Sequence, residues 1–321
     1  MKNKFNKYLS YYLSILFVFS LIYLVKKHNV GNDSTISEWI INYSGGFTKR
    51  GIIGHIAIFF ANFFDLNLRD SILIFQIIII TIYYFLIYYF LRNIKTNKVI
   101  LLSIFTPIFI LYPVAEIEVL ARKEIFIFCI FIIFLLMESS LIKDIYKMIS
   151  LSLAVLIWEP VVFYFIFFLA VDLLEKKTKS IDLKSFLNLI FYVPAITIAI
   201  YIIFNPITPE NHSVMENYLK NNFQETCYMS CGLLKTKSSI YDQFAGNFDR
   251  YSFPIFLRYS LIILFGFGPL IILAKNSKLI DNRIIFFRNF NNILIPISIM
   301  LIPVILLFAM GYDWGRWVNI S

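Results

Sequence analysis

Residues 149–174 read ISLSLAVLIWEPVVFYFIFFLAVDLL, an apolar run with an acid and a proline at its centre. As a single helix it has the length of one membrane crossing, because about 20 apolar residues span a bilayer. That reading puts Lys176, Lys177 and Lys179 outside, against the tendency of Lys and Arg to stay in cytoplasmic loops. As two short tilted arms that meet at Trp158-Glu159-Pro160, the run returns the chain to the side it left. Proline removes a backbone donor and breaks a helix, and irregular backbone at membrane depth is tolerated where it lines a cavity. We take the hairpin reading, and the direction of every later segment follows from it.

Working outward, apolar stretches of similar length recur through the chain, which is 59% hydrophobic with a mean hydropathy of +0.75. The helices lack the 3.6-residue amphipathic period that would give a soluble protein a wet side. The net charge of +9 does not mark a nucleic-acid surface, since the Lys and Arg residues fall in short clusters at segment ends. We therefore expect an all-α, polytopic membrane protein, one integral membrane domain over 1–321, with about nine spans counting the short hairpin. The expected location is the bacterial inner membrane, with a cytoplasmic N-terminus.

Residues 9–25 follow Lys2, Lys4 and Lys7, lack a small-x-small cleavage site and read as an uncleaved first helix. A polar loop over 26–50 leads to an interfacial helix at 51–64. Spans follow at 71–91, 99–113 and 125–142, with Arg92, Lys95, Lys98, Lys143 and Lys147 marking cytoplasmic turns. After the hairpin, 186–204 goes outward to an extracytoplasmic loop at 205–253. The chain returns through 254–274 to Lys275, Lys278, Arg283 and Arg288, and 293–310 crosses last.

This path brings to one outer face the polar runs that topology leaves unexplained. In Tyr43-Ser44-Gly45-Gly46-Phe47-Thr48-Lys49-Arg50-Gly51 the paired glycines permit either an ordinary turn or an anion-binding nest of N–H groups. Lys49 and Arg50 add donors suited to phosphate. Glu116, Glu118, Arg122, Lys123 and Glu124 form a second run, either a helical ion-pair ladder or charges facing a partner. Glu159 sits between apolar arms, where burial would raise its pKa into the range of a general base. In Asp313-Trp314-Gly315-Arg316-Trp317, the indoles either mark the membrane interface or stack on sugar rings.

Cys227 and Cys231 read as a small disulfide in the outer loop, and the zinc alternative lacks further ligands. His28, His55 and His212 lie in separate segments, so no triad or metal signature assembles. No nucleotide-binding pattern is present, which leaves a lipid-borne donor.

Taken together, the Tyr-Ser-Gly-Gly-Phe-x-Lys-Arg-Gly, Arg-Lys-Glu, Trp-Glu-Pro and Asp-Trp-Gly-Arg-Trp runs resemble membrane proteins of bacterial polysaccharide clusters. The layout resembles the GT-C membrane glycosyltransferases, and the large outer loop and Ile-, Phe-, Asn- and Lys-rich composition are similar to O-antigen polymerases of the Wzy type. The GT-C likeness implies a first-outer-loop acid, for which Asp33 and Glu38 are the candidates here. Both likenesses imply a polyprenyl-phosphate-linked glycan as partner, within the lipid bilayer and without nucleic acid. Glycosyl transfer is then expected at the outer membrane face in O-antigen or capsule assembly. Glu159 is the first choice for activating the acceptor, with Glu118 and Asp313 behind it. Ser44, Gly45, Gly46, Lys49, Arg50, Arg122, Lys123 and Arg316 would hold the phosphate, and Trp314 and Trp317 the sugar. No cofactor is expected, a divalent metal being the one group left open. A lipid-glycan flippase or transporter is the alternative, and a non-catalytic scaffold the second.

Overall fold

The computed structural model describes residues 2–94, 97–106, 109–175, 188–235, 241, 245–246, 252–277, 292–311 and 314–321. All regular structure among them is helical. In chain order the helices are α1 (Lys2–Val30), α2 (Ser34–Ser37), α3 (Gly51–Phe64), α4 (Leu68–Leu91) and α5 (Lys98–Ile104). Next come the single turns α6 (Tyr112–Ala115) and α7 (Ile117–Leu120), then α8 (Glu124–Leu136), α9 (Leu141–Ile157) and α10 (Phe165–Glu175). The last are α11 (Val193–Phe204), α12 (Pro209–Phe223), α13 (Phe253–Asn276), α14 (Leu294–Met310) and α15 (Trp314–Ile320).

Three helices are long and apolar enough to cross a membrane: α1 from Lys4, α4 and α13. A fourth is reached if Asn188–Phe204 and Pro209–Phe223, bent by 100°, are taken as one span. The first of these shows how such a helix divides its faces. Leu9, Leu13, Leu16, Ser20 and Leu24 are buried at i, i+4 and i+3 spacing, and α1 packs along α4. Ser20 Oγ lies 3.0 Å from the Tyr84 hydroxyl, satisfying both in the apolar seam. Ile15, Val18, Phe19 and Ile22 are exposed on the opposite face, an arrangement suited to lipid chains rather than water. From α4 the packing continues to α8, then α9, then α11, while α3 touches both α4 and α9. A second group gathers on α13, which contacts α5, α14 and α15.

The expected break in the central run is present. Trp158 is extended at φ −157°, Pro160 sits in the first turn of a 3-10 segment at Glu159–Tyr164, and α10 follows. The first arm is longer than the sequence reading has it. Ser140 caps α9 by accepting from the Lys143 N–H at 3.3 Å, so 141–148 joins the arm and α8 stops at Leu136. The expected span at 99–113 is not one helix: α5 ends at Ile104, where Thr106 Oγ1 turns to the Phe265 carbonyl at 2.8 Å. Among the described residues three or four candidate spans are seen rather than nine.

Two lysines expected in a cytoplasmic turn are buried instead. Lys147 pairs with Asp172 on α10 and with Asp144 at 3.2 Å, and Lys143 Nζ donates to the Met137 carbonyl at 3.0 Å. Lys95, Lys176, Lys177, Lys179, Lys278, Arg283 and Arg288 lie outside the described residues.

The segment 205–253, expected as an outer loop, carries structure in its described part. Cys227 and Cys231 form the expected disulfide, and buried His212 on α12 contacts the Cys231 carbonyl at 3.0 Å and Cys227 Sγ at 3.2 Å. Arg69, unremarked in the sequence reading, ties this loop to the start of α4. It pairs with Glu225 and reaches the His28 and Gly31 carbonyls, each at 3.3 Å.

Close backbone approach explains two glycines. A Cβ at Gly45 would stand 1.9 Å from the Asn211 carbonyl oxygen of α12, and one at Gly54 would stand 2.0 Å from that of Ile41. Gly45→Ala and Gly54→Ala are therefore expected to cost about 1–3 kcal/mol each through forced backbone separation. Gly268→Ala meets open space and serves as the control. Thermal melts of the purified proteins in detergent check this, with lowered midpoints for the first two and no lowering for the third.

Candidate functional site

The site forms where the loop before α3 meets the start of α8 and the Trp158-Glu159-Pro160 break. Arg50 stands immediately before α3 with φ 62°, a left-handed conformation uncommon for a residue with a side chain. Its side chain reaches Glu159 with two parallel hydrogen bonds, Nε at 2.7 Å and Nη2 at 2.9 Å. Its carbonyl accepts from Lys123 Nζ at 2.6 Å. One residue therefore joins three segments, through both its side chain and its backbone.

Around it the other charges fall into place. Arg122 Nη1 donates to Glu38 at 3.1 Å and its Nη2 to Ser34 Oγ at 3.1 Å, while Arg50 Nη1 is 3.8 Å from the same Glu38 oxygen. Trp39, fully buried, donates to the Ala121 carbonyl at 2.5 Å and fixes the loop against the residues before α8. On the far side Arg316 Nε lies 2.9 Å from Glu124, and its guanidinium lies 4.4 Å from the Trp317 ring centroid. Trp317 in turn stacks on Trp158 with centroids 6.1 Å apart. Lys49 is the cation at the rim, half-exposed and 3.5 Å from Glu159.

Electrostatics change what Glu159 can do. Burial pushes its carboxyl up, but Arg50 and Lys49 more than reverse this and hold it down at about 2. Both oxygens are engaged, so the carboxylate stays ionised and orients Arg50; it is not the raised-pKa base expected from the sequence. Burial also raises Glu38, and Arg122 and then Arg50 outweigh it, leaving a net lowering. Burial lowers Lys123, to about 7, with partial compensation from Glu38. Arg50 is pushed down by burial and raised overall by Glu159.

Lys49, Arg50, Arg122, Lys123 and Arg316 are thus brought to one cluster, as expected. The glycine run contributes differently from an anion nest. The Ser44 N–H bonds Asn42 Oδ1 at 2.8 Å, the Gly46 N–H bonds the Tyr43 carbonyl at 3.0 Å, and Gly45 is packed under α12. Two of its N–H groups are committed to a turn; Gly45 serves packing, and Gly46, at φ 103°, serves the turn itself. Trp314 is set apart from the cluster: it stacks on Tyr259 at 5.1 Å and donates to the Phe308 carbonyl at 2.7 Å, part of the packing of α13 to α15. Asp313 lies outside the described residues, as does the Glu118 side chain.

Sequence reasoning did not assign Glu124 or Trp158 a role in the site, and it offered Glu38, beside Asp33, only through the GT-C likeness. Glu38 had only its position in the first polar loop as a signal, and Glu124 stood beside Arg122 and Lys123 in a run read as a whole. No protein-family model, curated protein or solved structure matches the chain.

A double-mutant cycle tests the central pair. Arg50→Gln and Glu159→Gln are each expected to destabilise by about 1–3 kcal/mol, because each deprives a largely buried ion of its principal partner, and the double variant by less than their sum. The pair also sets a pH dependence. With the folded pKa below the unfolded one, its contribution is full above about pH 5 and is lost as pH falls toward the folded value. The melting difference between wild type and Glu159→Gln is expected to shrink on acidification, and a constant difference contradicts the assignment.

Proposed function

We propose that the cluster binds the phosphate of a lipid-linked sugar and supports glycosyl transfer at the outer face of the bacterial inner membrane. One observation carries this reading. Among the described residues, Lys49, Arg50, Arg122, Lys123 and Arg316 gather around Glu38, Glu124 and Glu159 at one place, with Lys49 half-exposed at its rim. Ionisable groups gathered beside apolar helices are costly to keep and mark candidate functional sites. Preorganised cations in a dry site stabilise negative charge that develops on a departing phosphate. Lys49 at the rim is placed for first contact with such a group, and the Nε1 atoms of Trp158 and Trp317 have no hydrogen-bond partner among the described residues.

In the proposed step an acceptor hydroxyl oxygen bonds to the anomeric carbon while the bond from that carbon to the phosphate oxygen breaks. The lipid phosphate leaves with the electron pair, and the hydroxyl proton passes to a carboxylate. The engagement of Glu159 by Arg50 makes it a positioning residue. Glu38 is the candidate acceptor of the proton on geometry: the flanking arginines hold its pKa down, as Arg50 and Lys49 do that of Glu159, but its Oε2 has no hydrogen-bond partner among the described residues. Glu118 and Asp313 keep their places behind it.

One observation favours the transporter alternative. Asp144, Lys147, Asp172 and Tyr192 form a second buried polar group, with the Tyr192 hydroxyl donating to Asp172 at 2.9 Å. Lys147 lies ten residues before Ile157, roughly 15 Å along α9. The charges therefore do not crowd one face alone, and ionisable groups at a second depth are what a translocation path requires.

Deleting the gene and displaying the lipid-linked surface glycan on a gel separates the readings. One-repeat stubs mean polymerisation, loss of one side sugar means transfer of a single residue, and an unchanged ladder contradicts both. Accumulation of complete lipid-linked units on the cytoplasmic side supports transport. Under the transfer reading, Glu38→Gln, verified as folded by its melt, fails to restore the glycan.

A further inference from the structure

A cavity of about 330 Å³ lies between the two helix groups, with α4, α8 and α10 on one side and α5, α13 and α15 on the other. Ile87, Ile127, Phe131, Phe168 and Leu270 give it a hydrocarbon surface. Two hydroxyls in its wall are met by backbone, Ser103 donating to the Val99 carbonyl at 3.0 Å and Thr106 to that of Phe265 at 2.8 Å, while the Tyr83 and Tyr164 side chains add a few polar atoms to the lining. An apolar space of this size falls in the range that holds small ligands.

A polar site adjoins this cavity. A smaller cavity, lined by Glu124 and Arg316, shares Tyr83, Phe128, Asn319 and Ile320 with the large one. The same four residues therefore separate the hydrocarbon chamber from the charged cluster. An occupant with a slender apolar chain and an anionic head matches both ends of this arrangement; a free sugar or a wholly polar anion leaves the chamber empty.

We infer that the chamber holds the hydrocarbon chain of the same lipid phosphate whose head group occupies the cation cluster. This rests on the reading of the cluster as a lipid-phosphate site and adds to it where the chain runs and why chain length matters. The chain enters between α8 and α13, and its first carbons pass Tyr83 and Asn319. Affinity then grows with each part of the chain withdrawn from competing lipid or water into the chamber.

The experiment uses the full chain in nanodiscs with two probes, farnesyl monophosphate and isopentenyl monophosphate, the farnesyl probe also in a photoreactive form. Wild type is expected to bind the farnesyl probe at least about tenfold more tightly. Cross-links are expected on α8 and α10, at residues such as Phe131 and Phe168. Ile127→Trp and Leu270→Trp, which fill the chamber from opposite sides, are expected to remove the farnesyl advantage and leave isopentenyl affinity unchanged. Cross-link mapping on wild type needs no variant to fold. Equal affinity for the two probes, or cross-links confined to the lipid-facing side of α1, overturns the chamber while leaving the phosphate site in place. Binding of neither probe overturns both.

Discussion

The guanidinium of Arg50, held by both oxygens of Glu159, joins parts of the chain 109 residues apart. Paired charges beside apolar helices persist when each ion is compensated and its hydrogen-bonding groups are met. Here compensation comes from the loop before α3, the turn before α8 and the break between α9 and α10. The left-handed backbone of Arg50 lets its side chain meet Glu159 while its carbonyl meets Lys123. Proline at 160 supplies the break that leaves Glu159 outside a regular α-helix. The local irregularities of the sequence thus converge on one contact.

A core that held only hydrocarbon would be simpler and at least as stable. The concentration of charge where the structure departs from regular helix is the pattern associated with functional sites, which depart from local rules and are supported elsewhere. The support is visible in the surrounding packing. Trp39 anchors the loop to Ala121, Gly45 lets α12 lie directly on it, and the Cys227–Cys231 disulfide with Arg69 and Glu225 fixes the segment beyond α12. These contacts hold the candidate site together on several sides, and Lys49 leaves it half-exposed at the rim.

The helical class, the membrane-suited helices and the break at Trp158-Glu159-Pro160 were legible because they depend on composition and on proline chemistry, both local. Span number was not, since α8 at Glu124–Leu136 and α9 at Leu141–Ile157 are separated only by a serine-capped turn that hydropathy averages away. Lys143 and Lys147 read as loop markers because charge alone does not reveal a partner such as Asp172, 25 residues further on. The cations of the site were legible as isolated basic residues in an apolar chain. Their pairing was not: the low pKa of Glu159 follows from Arg50, a contact no spacing announces, and Glu38 lay in a polar loop with nothing local to single it out. Gly45 was visible as a special position but for the wrong reason, since close packing and anion binding both ask for glycine.

The most direct test is an electron cryomicroscopy structure of the full chain in nanodiscs with farnesyl monophosphate. The expected result is phosphate density within hydrogen-bonding reach of Lys49, Arg122 or Arg316, with Arg50 still paired to Glu159 and chain density in the chamber between α8 and α13. A cluster closed upon itself, with its cations fully paired by the chain's own carboxylates and the phosphate bound elsewhere, would contradict the account.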